Sequence, residues 1–206
     1  MKIWKDNSYD IVRLFINQIG ITIFSLVLFT ALAAIEDEKT YSTVLIAASV
    51  FATAFYLVLI YAVGWECGAK DKIRIDGSRM APMPAKGAVM ALFANLPNIL
   101  FTVLGVVTMI IFMNGGGEGF YSAFAVFNLI FRFIESMYLG IIQGVFAGFS
   151  YDTNLQYLLE AIGFAVAPIL AIAATQLGYF LGSKDIRILS FFSGKGGNNT
   201  DKNKFV

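Results

Sequence analysis

Asn128, Arg132, Glu135 and Gln143 recur at helical spacing inside residues 120–150, a stretch that is otherwise almost entirely apolar. Polar groups on one helix face, two of them ionisable, are a means of lining a solute or ion path, because ionisable side chains at membrane depth face a bundle interior or an aqueous cavity. Arg132 and Glu135 stand three residues apart and can pair if the helix is continuous. The plainer reading is that these two cap a turn at the membrane surface and line nothing. Asn17 and Gln18 in the first apolar segment, and Asn95 and Asn98 around Pro97, are further polar groups inside apolar helices. Their default role is a cross-helix hydrogen bond of ~1 kcal/mol. Pro97 removes a backbone donor and predicts a kink, whose freed carbonyls Asn95 can satisfy. A substrate position where helices kink at Pro97 and Pro168 is a further reading.

The chemistry the chain lacks is as informative. It has no histidine, which removes imidazole acid–base catalysis and imidazole metal ligation. The single cysteine, Cys67, can make neither an intramolecular disulfide nor a thiolate cluster, and reads as a small apolar residue at a helix end. There is no phosphate-binding Gly-x-x-x-x-Gly-Lys-Ser/Thr loop and no paired aspartate within the apolar segments. The expectation is no enzyme, no cofactor, no metal and no nucleic-acid partner.

The elements that must position these groups are membrane helices. Of the 206 residues, 58% are hydrophobic and 14% charged. The apolar runs are continuous rather than alternating, so they read as helices about 20 residues long, the length that crosses ~30 Å of hydrocarbon, and not as barrel strands. The expected fold class is therefore all-α: a polytopic helical membrane bundle forming a single domain over residues 1–194, followed by a polar, disordered tail over 195–206. The apolar segments run from Ile11 to Ala34, Tyr41 to Trp65, Gly87 to Met113 and Leu158 to Gly182, with residues 120–150 ambiguous. Ala31-Leu32-Ala33 mimics a signal-peptidase site, but the preceding run is longer than a usual signal core and contains Asn17 and Gln18, so the first helix is expected to be retained.

One motif occurs twice. Gly64-Trp65-Glu66-Cys67-Gly68-Ala69-Lys70-Asp71-Lys72-Ile73-Arg74-Ile75 ends the second segment, and Gly178-Tyr179-Phe180-Leu181-Gly182-Ser183-Lys184-Asp185-Ile186-Arg187-Ile188 ends the last. Glycines four apart, Gly64/Gly68 and Gly178/Gly182, flatten one helix face for close packing. Gly140, Gly144 and Gly148 form a second such stripe. The repeat reads either as an internal duplication, as in many transporters, or as convergence on residues that suit helix ends at the membrane surface. Under both readings the two copies mark the same side.

Charge sets the topology. Lys2, Lys5 and Arg13 at the N-terminus, Lys70, Lys72, Arg74, Arg79 and Lys86 in the polar stretch Glu66–Lys86, and Lys184, Arg187 and the tail lysines place these regions in the cytoplasm. Both termini then share a side, so residues 120–150 contribute two crossings or none. Six crossings are favoured, with a cytoplasmic turn at Arg132-Phe133-Ile134-Glu135; five is the alternative. The difficulty is that Phe120–Phe131 reaches only about 18 Å as a helix, so a re-entrant segment would have to be buried against protein. The functional expectation is a multi-pass cell-membrane protein, in contact with lipid and with a partner subunit or a second copy of itself, that binds a small solute or assists its transport. The alternative is an accessory, regulatory or immunity-type protein acting through helix contacts.

Overall fold

The computed structural model describes residues 2–146 and 152–186, with side chains from Asn7 onward. Helices α1 (Lys2–Leu32), α2 (Glu38–Asp76), α3 (Lys86–Met113), α4 (Glu118–Ile134), α5 (Leu139–Phe146) and α6 (Thr153–Ser183) follow in order, with a 3-10 turn at Ser136–Tyr138 between α4 and α5. No strand occurs among the described residues, as an all-α fold requires. Four helices are long and apolar enough to span a membrane: Asn7–Leu32 of α1, and α2, α3 and α6 whole. Each buries one stripe and exposes apolar side chains on the other faces. In α2, Ser49, Ala52, Tyr56, Ile60, Val63 and Cys67 are buried at helical spacing, while Val50, Phe51, Phe55 and Val58 point outward.

Side-chain contacts give the helix directions. Arg13, early in α1, pairs with Glu66, late in α2, so these two run antiparallel. Lys86, at the start of α3, pairs with Asp71 near the end of α2. Gly64 and Gly68 of α2 meet Thr175 and Tyr179 of α6 in ascending order, so α2 and α6 run parallel. One end of the bundle therefore gathers Arg13, Lys70, Lys72, Arg74, Arg79, Lys86 and Lys184. The opposite end gathers Glu36, Asp37, Glu38, Glu118 and Asp152, with Lys39 as its one cation among the described residues. Asp37 and Asp152 cap α2 and α6 there, through the amides of Thr40 and Asn154. The Thr40 amide and hydroxyl hold the Asp37 carboxyl below its usual range.

One expectation is corrected and one is not confirmed. The polar stretch Glu66–Lys86 is not a loop throughout: α2 continues to Asp76, so Lys70, Asp71 and Arg74 lie on helix and only residues 77–85 connect. Helix propensity carries the helix past the apolar segment until Ser78 turns left-handed at φ 56°, where the Ser78 and Arg79 amides bond back to Ile75 O and Arg74 O. Six crossings are not confirmed: four helices, or five spans at most, are long and apolar enough. Among the described residues, 118–146 supply no pair of spanning helices; α4 and the 3-10/α5 segment meet at 85° and together amount at most to one further span. Tyr121 stacks near Phe112 at the end of α3, and Phe124 near Tyr157 at the start of α6, so α4 begins at the acidic end. Deeper in, Phe131 packs on Phe164. After the break, Met137 meets Thr53, whereas Gly140 meets Leu45 and Ser49 and Gly144 meets Ile46. The contacts on α2 thus step back toward the acidic end, where α6 starts. The hairpin enters and leaves at one end, and this allows α1 to begin and α6 to finish together at the basic end.

Pro97 and Pro168 lie within α3 and α6, each of which continues through its proline as one helix. Asn95 donates to Ala91 O at 2.9 Å, one turn back on its own helix.

Candidate functional site

A helix that stops halfway through a bundle leaves backbone groups that no water satisfies, so each needs a side-chain partner. Three hydroxyls supply them at the hairpin break. Thr22 of α1 donates to Ile134 O at 2.6 Å. Thr53 of α2 donates to Met137 O at 3.1 Å. Ser49 of α2 accepts from the Gly140 N–H at 2.8 Å. Ser136 in turn donates to Thr22 O at 3.3 Å. Gly140 is required for this approach: a Cβ there would sit 2.4 Å from Leu45 O and 2.5 Å from Ser49 Oγ. Ser49→Ala leaves a buried amide without an acceptor and is expected to lower stability by about 1–3 kcal/mol, read as a drop in thermal midpoint in detergent. An unchanged midpoint would show that Gly140 does not depend on that hydroxyl.

Glu135 caps α4 at this break and is 0% exposed. Neither of its carboxylate oxygens has a hydrogen-bond partner. It lies next to the Asn98 side chain on α3 and within electrostatic range of the phenols of Tyr56 on α2 and Tyr138 in the 3-10 turn. Asn98 Nδ2 is 3.4 Å from Asn95 Oδ1, while Asn98 Oδ1 and the Tyr138 hydroxyl are, like Glu135, buried and unpartnered. Gln18, on the α1 stripe one turn before Thr22, is 1% exposed with both amide atoms unpartnered. Buried polar atoms without hydrogen-bond partners thus collect where three helices and the hairpin meet.

Arg132 does not pair with Glu135. The end of α4 turns Glu135 inward, while Arg132 bonds to Glu160 of α6 and donates through Nε to Asn128 Oδ1 at 2.8 Å. Gln156 Nε2 completes that group, 3.2 Å from Glu160 Oε1. Of the expected polar residues, the structure brings Asn95, Asn98 and Glu135 together and places Asn128 and Arg132 in a separate ion-pair cluster nearer the acidic end. Gln18 lines the α1 stripe. Asn17 and Gln143 are half-buried and join neither group. Glu160, Tyr56 and Tyr138 were not singled out from sequence. Gln156 and Glu160, four apart in an apolar helix, were the available signal for the first; the tyrosines read as ordinary apolar positions.

The doubled motif proves to be one contact seen from both sides. A Cβ on Gly64 or Gly68 would lie 2.3 or 2.2 Å from the carbonyl oxygen of Thr175 or Tyr179, and one on Gly178 or Gly182 would lie 2.2 or 2.1 Å from that of Tyr61 or Trp65. Each copy's aromatic residue also reaches across: Tyr179 donates to Asp71 Oδ2 at 3.1 Å, and Trp65 Nε1 donates to Ile186 O at 2.7 Å. The Lys-Asp pairs then part ways. Asp71 is buried against Lys86 at 2.6 Å, with Arg74 at 3.7 Å, whereas Asp185 is exposed at a left-handed φ of 58° beyond the end of α6. Gln176 of α6 caps α3, accepting from Ala88 N at 2.8 Å and donating to Pro84 O at 2.7 Å. Cys67 is buried beside Met90. Among the basic residues, Lys70 pairs with Glu66 at 2.8 Å, Lys72 is half-buried, and Arg79 and Lys184 are exposed, the latter 4.2 Å from the Phe180 ring centroid. Gly144 faces only the flexible Ile46 side chain. Gly148 and Arg187 lie outside the described residues, as does the 195–206 tail.

Compared with protein-family models, curated proteins and solved structures, the chain matches none.

Proposed function

We propose that this chain is a multi-pass cell-membrane protein that binds a small solute, or assists its transport, at the broken hairpin. The observation that carries the reading is Glu135: an ionisable side chain without a hydrogen-bond partner, where a helix stops halfway between the ends of the long helices. Intramembrane ionisable groups and discontinuous helices at the bilayer midplane mark substrate and ion positions in membrane proteins. In this reading the basic end is cytoplasmic, both termini lie on that side, and the hairpin re-enters from the opposite face. Four crossings plus a re-entrant hairpin satisfy the charge rule without a parity conflict. The protein is not an enzyme: with no histidine and one buried cysteine, it has a narrow set of catalytic groups.

The alternative, an accessory protein acting through helix contacts, drew on free glycine faces. Those at Gly64, Gly68, Gly140, Gly178 and Gly182 are already filled by helices of the same chain.

The reading predicts water access to the break. In a Cys67→Ala background, Ser136→Cys is expected to react with a membrane-impermeant methanethiosulfonate added on the acidic face of sealed vesicles. Glu118→Cys, exposed on that face, gives the full signal. Labelling of Glu118→Cys with no reaction at Ser136→Cys would mean a solid interior and would overturn the reading.

A further inference from the structure

We propose that the solute taken at the hairpin break is an alkali-metal cation, held by Glu135 with neutral oxygen donors around it. The inference rests on the binding reading above and adds the chemistry of the ligand. A carboxylate is unfavourable at the C-terminal end of a helix, where the peptide dipoles already concentrate negative charge; Lys, Arg or His belong there. Glu135 occupies that position on α4 and is at the same time the N-cap of the 3-10 turn that leads into α5, whose dipole opposes that of α4. It has no exposure, neither oxygen has a hydrogen-bond partner at bonding distance, and the polar side chain next to it is the neutral amide of Asn98. Arg132, the cation nearest in sequence, is held away by Glu160 and Asn128. The titratable groups facing Glu135 are the phenols of Tyr56 and Tyr138; α1 and α3 present neutral side chains, Thr22 and Asn98.

What is missing is positive charge, and the surrounding chemistry defines it. Asn98 Oδ1 and the Tyr138 hydroxyl oxygen are hard donors, buried without hydrogen-bond partners, on residues that interact electrostatically with this single carboxylate. Hard oxygen ligands select alkali and alkaline-earth ions over transition metals. One carboxylate balances one charge; a divalent ion would leave a net positive charge buried, which this apolar interior disfavours. An anion meets the charge of the carboxylate. A proton is the competing occupant, since a protonated Glu135 could donate to Asn98.

The purified protein in nanodiscs, held at constant ionic strength with choline chloride, separates the two occupants. Replacing choline with Na⁺, K⁺ or Li⁺ is expected to raise the thermal midpoint saturably for at least one of the three. Where Glu135 is protonated in the free protein, the apparent affinity is expected to fall about tenfold per unit drop in pH, because the ligand must be deprotonated to bind. Glu135→Gln is expected to fold and to lose the response; Glu38→Gln, at an exposed acid of the acidic end, is expected to keep it. An equal response in wild type and Glu135→Gln would overturn the proposal. So would no response to any of the three ions at any pH at which the protein stays folded, which would leave the proton as sole occupant. Labelling at Ser136→Cys without a cation response would refute the cation alone and leave the solute-binding reading standing.

Discussion

Gly182→Ala is expected to be among the most damaging single-methyl changes in this chain. The added Cβ would stand 2.1 Å from Trp65 O and 2.8 Å from Trp65 C, atoms of a helix backbone that cannot rotate out of the way. Helices α2 and α6 must then separate, and separation weakens the bonds that the aromatic residues send across, Tyr179 to Asp71 and Trp65 to Ile186. Overpacking a well-fitted interface costs typically about 1–3 kcal/mol, occasionally more, and this variant belongs at the upper end of that range. The control is Gly20→Ala. Nothing lies within 4 Å of a Cβ at Gly20, and alanine there is expected to be neutral or to stabilise α1 by roughly 0.5–1 kcal/mol. Thermal unfolding in one detergent, followed by size-exclusion recovery, compares the pair. If both variants melt within experimental error of wild type, the close contact between the two motif copies does not exist as described.

The second large effect is expected at Lys86. Its ammonium is 2.6 Å from Asp71 Oδ2, and the side chains are 4% and 1% exposed. Removing one member of a buried pair strands the other charge away from water, at a cost of about 3–5 kcal/mol. Lys86→Met should show this, because methionine fills the volume but leaves Asp71 with the Tyr179 hydroxyl and the more distant Arg74. Adding Asp71→Asn to Lys86→Met is expected to recover a good part of the loss, since the stranded charge is gone. Lys70→Met supplies the scale: the Lys70–Glu66 pair is 50% and 41% exposed, and such pairs contribute about 0.2–1 kcal/mol. A Lys86→Met variant that loses no more than Lys70→Met, or a double variant less stable than the single, would show that Lys86 and Asp71 are not an isolated buried pair.

The long helices were legible because apolar length is a local property: α3 begins at Lys86 where Gly87 was expected and ends at Met113 as expected. The extension of α2 to Asp76 was missed because polar content suggests a loop, while helix propensity carries Lys70, Asp71 and Arg74 onward. Polar content also singled out Arg132 and Glu135. Their partners were out of reach, because Glu160 lies 28 residues from Arg132 in sequence and no spacing rule relates residues of different helices.

The amino-acid sequence by itself determined an all-helical chain, the four long apolar helices, the clustering of basic residues near particular helix ends, and a constraint: residues 120–150 should cross twice or not at all if both termini share a side. Periodicity, apolar length and charge count each depend only on residues close along the chain. The tertiary structure decided that this stretch is a helix broken at Glu135 and held by Thr22, Ser49 and Thr53. It also decided that Gly64/Gly68 and Gly178/Gly182 are two halves of a single contact, and that Arg132 leaves Glu135 without a partner. Each of these depends on which helix faces which, and that is set by backbone fit and by the demand that every buried polar group find a partner, neither of which is visible one residue at a time.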